Sequence, residues 1–340
     1  MKSVRFHDTA DRAACQLEVT GCAAGFDCAG RGKTMSVEVL LQQTLIIFCY
    51  MGIGWIVCKT GVATGQHTKF LSGLITSLTL PLNILASTSL ETEPEDLLHM
   101  LYAGLLFAGF LAVTTAVSLL ISKKAGFPVG KRAIFAGLMA YPNCGFMGIP
   151  LCVALMGRWG SLYGAAVVAA YNALYFTWGV SLFHPGRKAD LKALITPLNA
   201  ATVLTILMLA LRVHFPPLVQ TVFTNVGNMT TPLALIVMGV MLGEGDLLAV
   251  FRGKFSYLAV LARNLLCPLA LLAVLALLPL DDTLRLALMV YAVMPSANLT
   301  AVFATQYDME AELASRTVVL STLLSIVTMP LLLILAQRVL

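Results

Sequence analysis

Along most of the chain, apolar residues run for about 18–25 positions at a time, long enough for a helix to cross a hydrocarbon core of roughly 30 Å. Short polar stretches separate the runs. Ten are predicted, near 37–58, 66–88, 98–122, 132–156, 160–183, 197–214, 218–243, 256–279, 283–306 and 314–338. The third and eighth are the most clearly bounded. The sixth and seventh are separated chiefly by Pro216 and Pro217, which cannot continue a helix begun before them.

Two runs contain residues a membrane helix should avoid. "AYPNCGFMGIP" at 140–150 and "YAVMPSANLTAVF" at 291–303 put proline, asparagine and small polar residues in mid-span, and Pro295 follows Pro142 by about 150 residues. "TLPLNIL" around Pro81 and "TTPLALI" around Pro232 repeat that offset. A unit of five spans is odd-numbered, so its duplicate inserts upside down; the pattern predicts two inverted five-helix repeats.

Depth then matters. At about 1.5 Å per residue, Pro142 lies roughly 15 Å into its span and Pro295 roughly 18 Å into its own, entered from the opposite side, so both breaks fall near the midplane. Each proline lacks an N–H and presses on the carbonyl four residues earlier, Leu138 or Tyr291. Such a gap is tolerated in lipid only where it faces protein or a wet cavity. Helix N-termini would point at that place from both sides, with free backbone N–H groups, the amides of Asn143 and Asn298, and the hydroxyls of Ser296 and Thr300 around it. Gly145 and Gly148 would let backbones cross closely. The set fits a small anion, above all a carboxylate. The alternative is a pair of kinked helices with the asparagines as polar glue.

Composition agrees with a polytopic membrane protein, because 59% of the 340 residues are hydrophobic and 11% charged. Lys and Arg gather in the odd-numbered loops: Lys59 and Lys69; Lys123, Lys124, Lys131 and Arg132; Arg187, Lys188 and Lys192; Arg252 and Lys254. The even-numbered loops are poor in cations and include "ETEPED" at 91–96. Cation-rich loops remain cytoplasmic, which predicts a multi-pass cell-membrane protein, in a bacterium the inner membrane, with both ends of the bundle outside. Residues 1–34 have no continuous apolar core and read as a disordered tail or an over-called start, with Met35 as the natural beginning. The transport domain is 35–340, divided into 35–190 and 191–340. Cys15, Cys22 and Cys28 lack C-x-x-C spacing, so no metal or cofactor is implied. Neither a nucleophile with its base, paired aspartates nor H-E-x-x-H is present, so an intramembrane enzyme is not expected, and no nucleic-acid partner is expected. Arg263 is the one cation clearly inside a span. It either snorkels to the interface or grips the anion in a two-pronged contact.

"PNCGFMGIPL" from Pro142, "PSANLTAVFATQYD" from Pro295 and the Arg263 to Pro268 spacing resemble the auxin efflux carrier family over about residues 35–340. The resemblance implies ten helices in two inverted halves, with broken, crossing fourth and ninth helices. It further implies a scaffold of the first, second, sixth and seventh helices, elevator-like alternating access, and a homodimer. The asparagine after the fourth-helix proline contacts the substrate carboxylate in that family, and its match here is Asn143. Cargo would be a small organic anion such as malonate, malate or an auxin-like aromatic acid, with the protein acting as an exporter. A membrane-embedded anion sensor without net transport is the alternative function. The third span, "LYAGLLFAGFLAVTTAVSLL", lacks the charged residues that some plant members carry there.

Overall fold

The computed structural model describes residues 37–90, 92, 94–183, 195–245, 250–251, 253–307 and 309–340. The predicted tail at 1–34, the fifth-loop cations Arg187, Lys188 and Lys192, Arg252, and the boundary between the halves at 190 lie outside the described residues.

Every regular element among the described residues is helical. Helix α1 (Val37–Lys59) leads to α2 (Gly65–Leu74), which a π-helical turn (Ile75–Thr79) joins to α3 (Leu80–Ala86). The long α4 (Pro94–Lys124) precedes α5 (Val129–Ala140), which ends before Pro142; a π-helical turn (Cys144–Gly148) and α6 (Ile149–Met156) resume the course. Helix α7 (Arg158–Leu174) runs through another π-helical turn (Tyr175–Gly179) into α8 (Val180–Phe183). Next come α9 (Pro197–Ala210), α10 (Pro217–Asn228), α11 (Thr230–Glu244), then α12 (Lys254–Leu261), a π-helical turn (Ala262–Leu266) and α13 (Cys267–Leu277). Helix α14 (Asp282–Ala292) stops short of Pro295, α15 (Asn298–Gln306) restarts, and α16 (Ala311–Val339) follows.

Local chemistry explains several of these ends. Asp281 accepts from the N–H groups of Thr283 and Leu284 and so starts α14, while Thr196 accepts from Asn199 N–H ahead of Pro197. Pro81, Pro150 and Pro268 each stand at the second position of the helix after a π-helical turn. The extra residue in that turn shifts the backbone register where the proline cannot donate.

Seven stretches among the described residues are long and apolar enough to cross a membrane: Leu41–Lys59, Gln66–Ser89, Glu95–Lys124, Arg158–Phe183, Pro217–Glu244, Lys254–Leu277 and Ala311–Val339. The other three predicted spans depart from continuous helices. The fourth and ninth are split, as their prolines dictate. The sixth, expected at 197–214, is a helix of 14 residues that stops at Ala210, because Arg212 takes a positive φ of 54° and turns the chain before Pro216. Leu45, Leu105, Leu207 and Leu277 point outward from four of the helices, an apolar exterior suited to lipid.

Two groups of helices emerge from the packing. In one, α11 lies on α1, and α3 on α9 and α10. A Cβ added at Gly239 would come within 1.9 Å of the Met51 carbonyl oxygen, and one at Gly54 within 2.0 Å of that of Ile236, so two glycines permit this backbone contact. In the other group, α4 packs on α5 and α7, and α16 on α12 and α15.

The ends of the bundle also sort. Lys131 pairs with Glu310 at 3.5 Å, Phe127 lies 5.2 Å from Phe255, and Gly243 adjoins Cys58. These contacts gather the described parts of loops one, three, seven and nine at one end. At the other, Arg158 bonds Ser89, and His214 Nδ1 lies 2.7 Å from the Thr88 carbonyl oxygen.

Candidate functional site

The two proline breaks cross and bind each other. Asn143 N–H donates to the Pro295 carbonyl at 2.8 Å, and Ala297 N–H to that of Tyr141 at 3.0 Å, an antiparallel bridge centred on Pro142 and Ser296. The carbonyl of Leu138, deprived of its helical donor by Pro142, accepts from the Ser296 hydroxyl at 2.8 Å. Ser296 N–H in turn donates to Ser321 Oγ at 2.9 Å, and Ser321 Oγ to Asn264 Oδ1 at 2.7 Å. The predicted free backbone donors are therefore largely used: the N–H groups of Asn143, Ser296 and Ala297 serve the crossing itself. Burial in lipid or protein makes that outcome favourable, since each unmet group costs free energy.

One side of the crossing is closed by Arg263, which is 0% exposed. Its Nη1 donates to the Met139 carbonyl at 3.2 Å, its Nη2 donates to the Ala292 carbonyl, and the guanidinium lies 5.8 Å from the Phe110 ring centre. Both acceptors belong to the last residues of α5 and α14, where helix dipoles present negative charge. One planar cation thus caps two helix ends. It does not reach back to the interface as a snorkelling side chain would, and both of its Nη groups are already engaged.

The opposite side differs in kind. Asn143 Oδ1 accepts from Phe146 N–H at 3.3 Å and caps the turn that follows, while its Nδ2 points at Met238 Sδ, 3.5 Å away. Asn298 Nδ2 meets the same sulfur at 3.3 Å and Met241 Sδ at 3.0 Å. Two amide donors from the two breaks thus converge on thioethers of α11, which are weak acceptors.

Both halves of the chain match one family: residues 39–193 and residues 186–333 each correspond to the family described as membrane transport protein. The chain belongs to this family, the auxin efflux carriers. An uncharacterized transporter of Methanocaldococcus jannaschii is 21% identical over 310 residues, 86% of this chain and 97% of the relative. A second uncharacterized transporter, from Methanothermobacter thermautotrophicus, is 24% identical over 313 residues, 87% of this chain and 97% of the relative. The protein is a membrane transporter, not an enzyme.

Within the transporter, the predicted site residues divide by role. Asn143 and Asn298 meet at the thioethers. Beside them Gly145 faces open space, since a Cβ there would touch nothing within 4 Å, so it does not serve a backbone crossing as expected. Gly148 does permit a close approach, because its Cβ would lie 2.7 Å from the Tyr291 ring. Pro142, Pro295 and Ser296 build the crossing. Thr300 lies elsewhere: two residues past Asn298, it is about 200° around α15, and its methyl would be 2.8 Å from a Cβ at Gly137 of α5. Met238 and Met241 were not singled out by sequence reasoning. Nothing in "ALIVMGVMLGE" separates them from ordinary apolar lining, and only their distance to the two amides identifies them.

Proposed function

We propose that the transporter carries a small organic carboxylate anion by alternating access, with the Asn143 and Asn298 amides as its principal donors. The observation that carries this reading is the convergence of both Nδ2 groups on the Met238 thioether. A carboxylate offers oxygens able to accept from both amides at once, and charge-assisted bonds of that kind are roughly twice as strong as neutral ones. A thioether is a soft placeholder that an anion displaces at little cost.

Ten spans in two inverted halves fit the same reading. Positions related by the repeat offset touch each other: Pro142 pairs with Ser296, and Thr230 Oγ1 donates to Thr79 Oγ1 at 3.0 Å across 151 residues. Mutual contact of equivalent positions is expected near a two-fold axis in the membrane plane. Grouping of the cation-rich loops at one end supports placing that end in the cytoplasm and the ends of the ten-span bundle outside. The amides sit on the helices of the crossing, whereas Met238 and Met241 sit on α11 beside α1. That division supports an elevator in which the crossing moves against a scaffold of α1–α3 and α9–α11, and the scaffold's outer face would form the homodimer.

Counterflow in proteoliposomes tests the reading, with malonate, malate and indole-3-acetate as cargo. Asn143→Ala is expected to reduce counterflow of the accepted acid by about tenfold or more, as loss of a hydrogen bond to a charged group of ~1.5–3 kcal/mol requires. Wild-type kinetics in that variant would return the asparagines to packing.

A further inference from the structure

A cavity of about 360 Å³ lies toward the Lys131–Glu310 end of the bundle and is walled by Gly245, Thr305, Glu312, Ser315, Arg316 and Val319. It is in line with the asparagine pair. Thr305 follows Asn298 along α15 by roughly 10 Å, and Gly245, the residue just past the end of α11, follows Met241 by roughly 6 Å, at about 1.5 Å per residue. The volume is within the usual range for small-molecule sites.

Arg316 gives the cavity its chemistry. Its Nε is buried and has no hydrogen-bond partner. An Nη2 lies 3.3 Å from where a Cβ of Gly253 would stand, so the guanidinium rests against a backbone whose φ of +97° favours glycine. Glu312 precedes Arg316 by four residues, the order that favours a pair on a helix. Among the described residues, however, the ion pairs are Lys131 with Glu310 and Arg285 with Asp282, and neither involves Arg316. The cation consequently faces a cavity whose wall is mostly apolar, with the hydroxyls of Thr305 and Ser315 nearby and with no bound counter-charge among those residues.

We propose that this cavity is a transit subsite for carboxylate anions, in which Arg316 captures the anion before or after it occupies the asparagine pair. The proposal rests on the reading of that pair as a carboxylate site. Glu312, exposed at the wall, weakens the field and keeps the subsite from holding its anion too firmly, since a transit site must release what it attracts.

The first test does not depend on which acid is carried. Ser315→Cys, in a background with the other exposed cysteines replaced by serine, is treated with an anionic and with a neutral methanethiosulfonate of similar size. The anionic-to-neutral rate ratio should fall about tenfold on Arg316→Gln and rise on Glu312→Gln, with both effects shrinking in high salt. A ratio unmoved by Arg316→Gln overturns the subsite. In the second arm, malonate and indole-3-acetate are titrated against the thermal stability of the full chain. Asn298→Ala should remove the tighter saturable phase and leave a weaker, salt-sensitive phase that Arg316→Gln abolishes. If the tight phase survives Asn298→Ala, the asparagine reading fails while the Arg316 result stands on its own. Saturation by neither acid in the wild type overturns both.

Discussion

The two sides of the proline crossing use similar polar groups to opposite ends. On one side Arg263 meets two carbonyls, Met139 and Ala292, and Ser296 meets Leu138. Each of these three carbonyl oxygens has a strong N–H or O–H donor, although the buried Nε of Arg263 meets no acceptor. On the other, two amide Nδ2 groups meet only sulfur. Matched groups fix a structure, because removing one leaves its partner buried and unsatisfied. Groups held by weak partners contribute little to stability and remain available to something better. Polarity in a membrane interior therefore does not by itself mark a binding site; what each polar group faces decides.

Substitutions that separate stability from transport put this contrast at risk. The largest loss is expected for Arg263→Ala, which strips two buried carbonyls of their donor, at about 1–3 kcal/mol each, and leaves a cavity besides. Size-exclusion and thermal unfolding in detergent should register that loss. Arg263→Lys should fall between, since a single ammonium does not reproduce the planar fork that serves two acceptors. A lysine variant as stable as wild type would remove the double cap from the account.

Asn298→Ala should do the reverse, lowering counterflow by about 2 kcal/mol in transition-state terms while leaving the unfolding temperature near that of wild type. An equally large fall in stability would place this amide with the matched side. Ser296→Ala comes next, at about 1–2 kcal/mol of stability for an orphaned Leu138 carbonyl, with substrate affinity little changed. The smallest effect is expected for Met238→Leu. Volume is nearly conserved and only a weak acceptor is lost, so stability should shift by less than about 1 kcal/mol and half-saturation by less than about threefold.

Much of this architecture is legible in the residues themselves. Pro142 and Pro295 interrupt apolar runs so plainly that the helix breaks at 140 and 292 follow from steric rules. The resemblance to the auxin efflux carriers is carried largely by the same stretches. What local pattern does not carry is partnership across the fold. That the Leu138 carbonyl finds Ser296 and the N–H of Asn143 finds Pro295 depends on which chain segments cross, and the expectation of free backbone donors failed for that reason. The Thr300 placement failed differently, because helical periodicity already puts positions 298 and 300 on different faces. The charge of Arg263 is visible in the sequence, while the two helix ends that its guanidinium touches are hidden by sequence separation.

The Pro142–Ser296 bridge also has a consequence in time. At about 5–20 residues per second, the ribosome adds Pro295 about 150 residues and roughly 8–30 seconds after Pro142. Until then the Leu138 carbonyl has no Ser296 to cap it, and the broken fourth segment waits in the membrane with its polar gap unfilled. Lipid offers nothing to fill it. The newborn first half therefore needs shelter, from the insertion machinery or from water held at the gap, until its counterpart emerges.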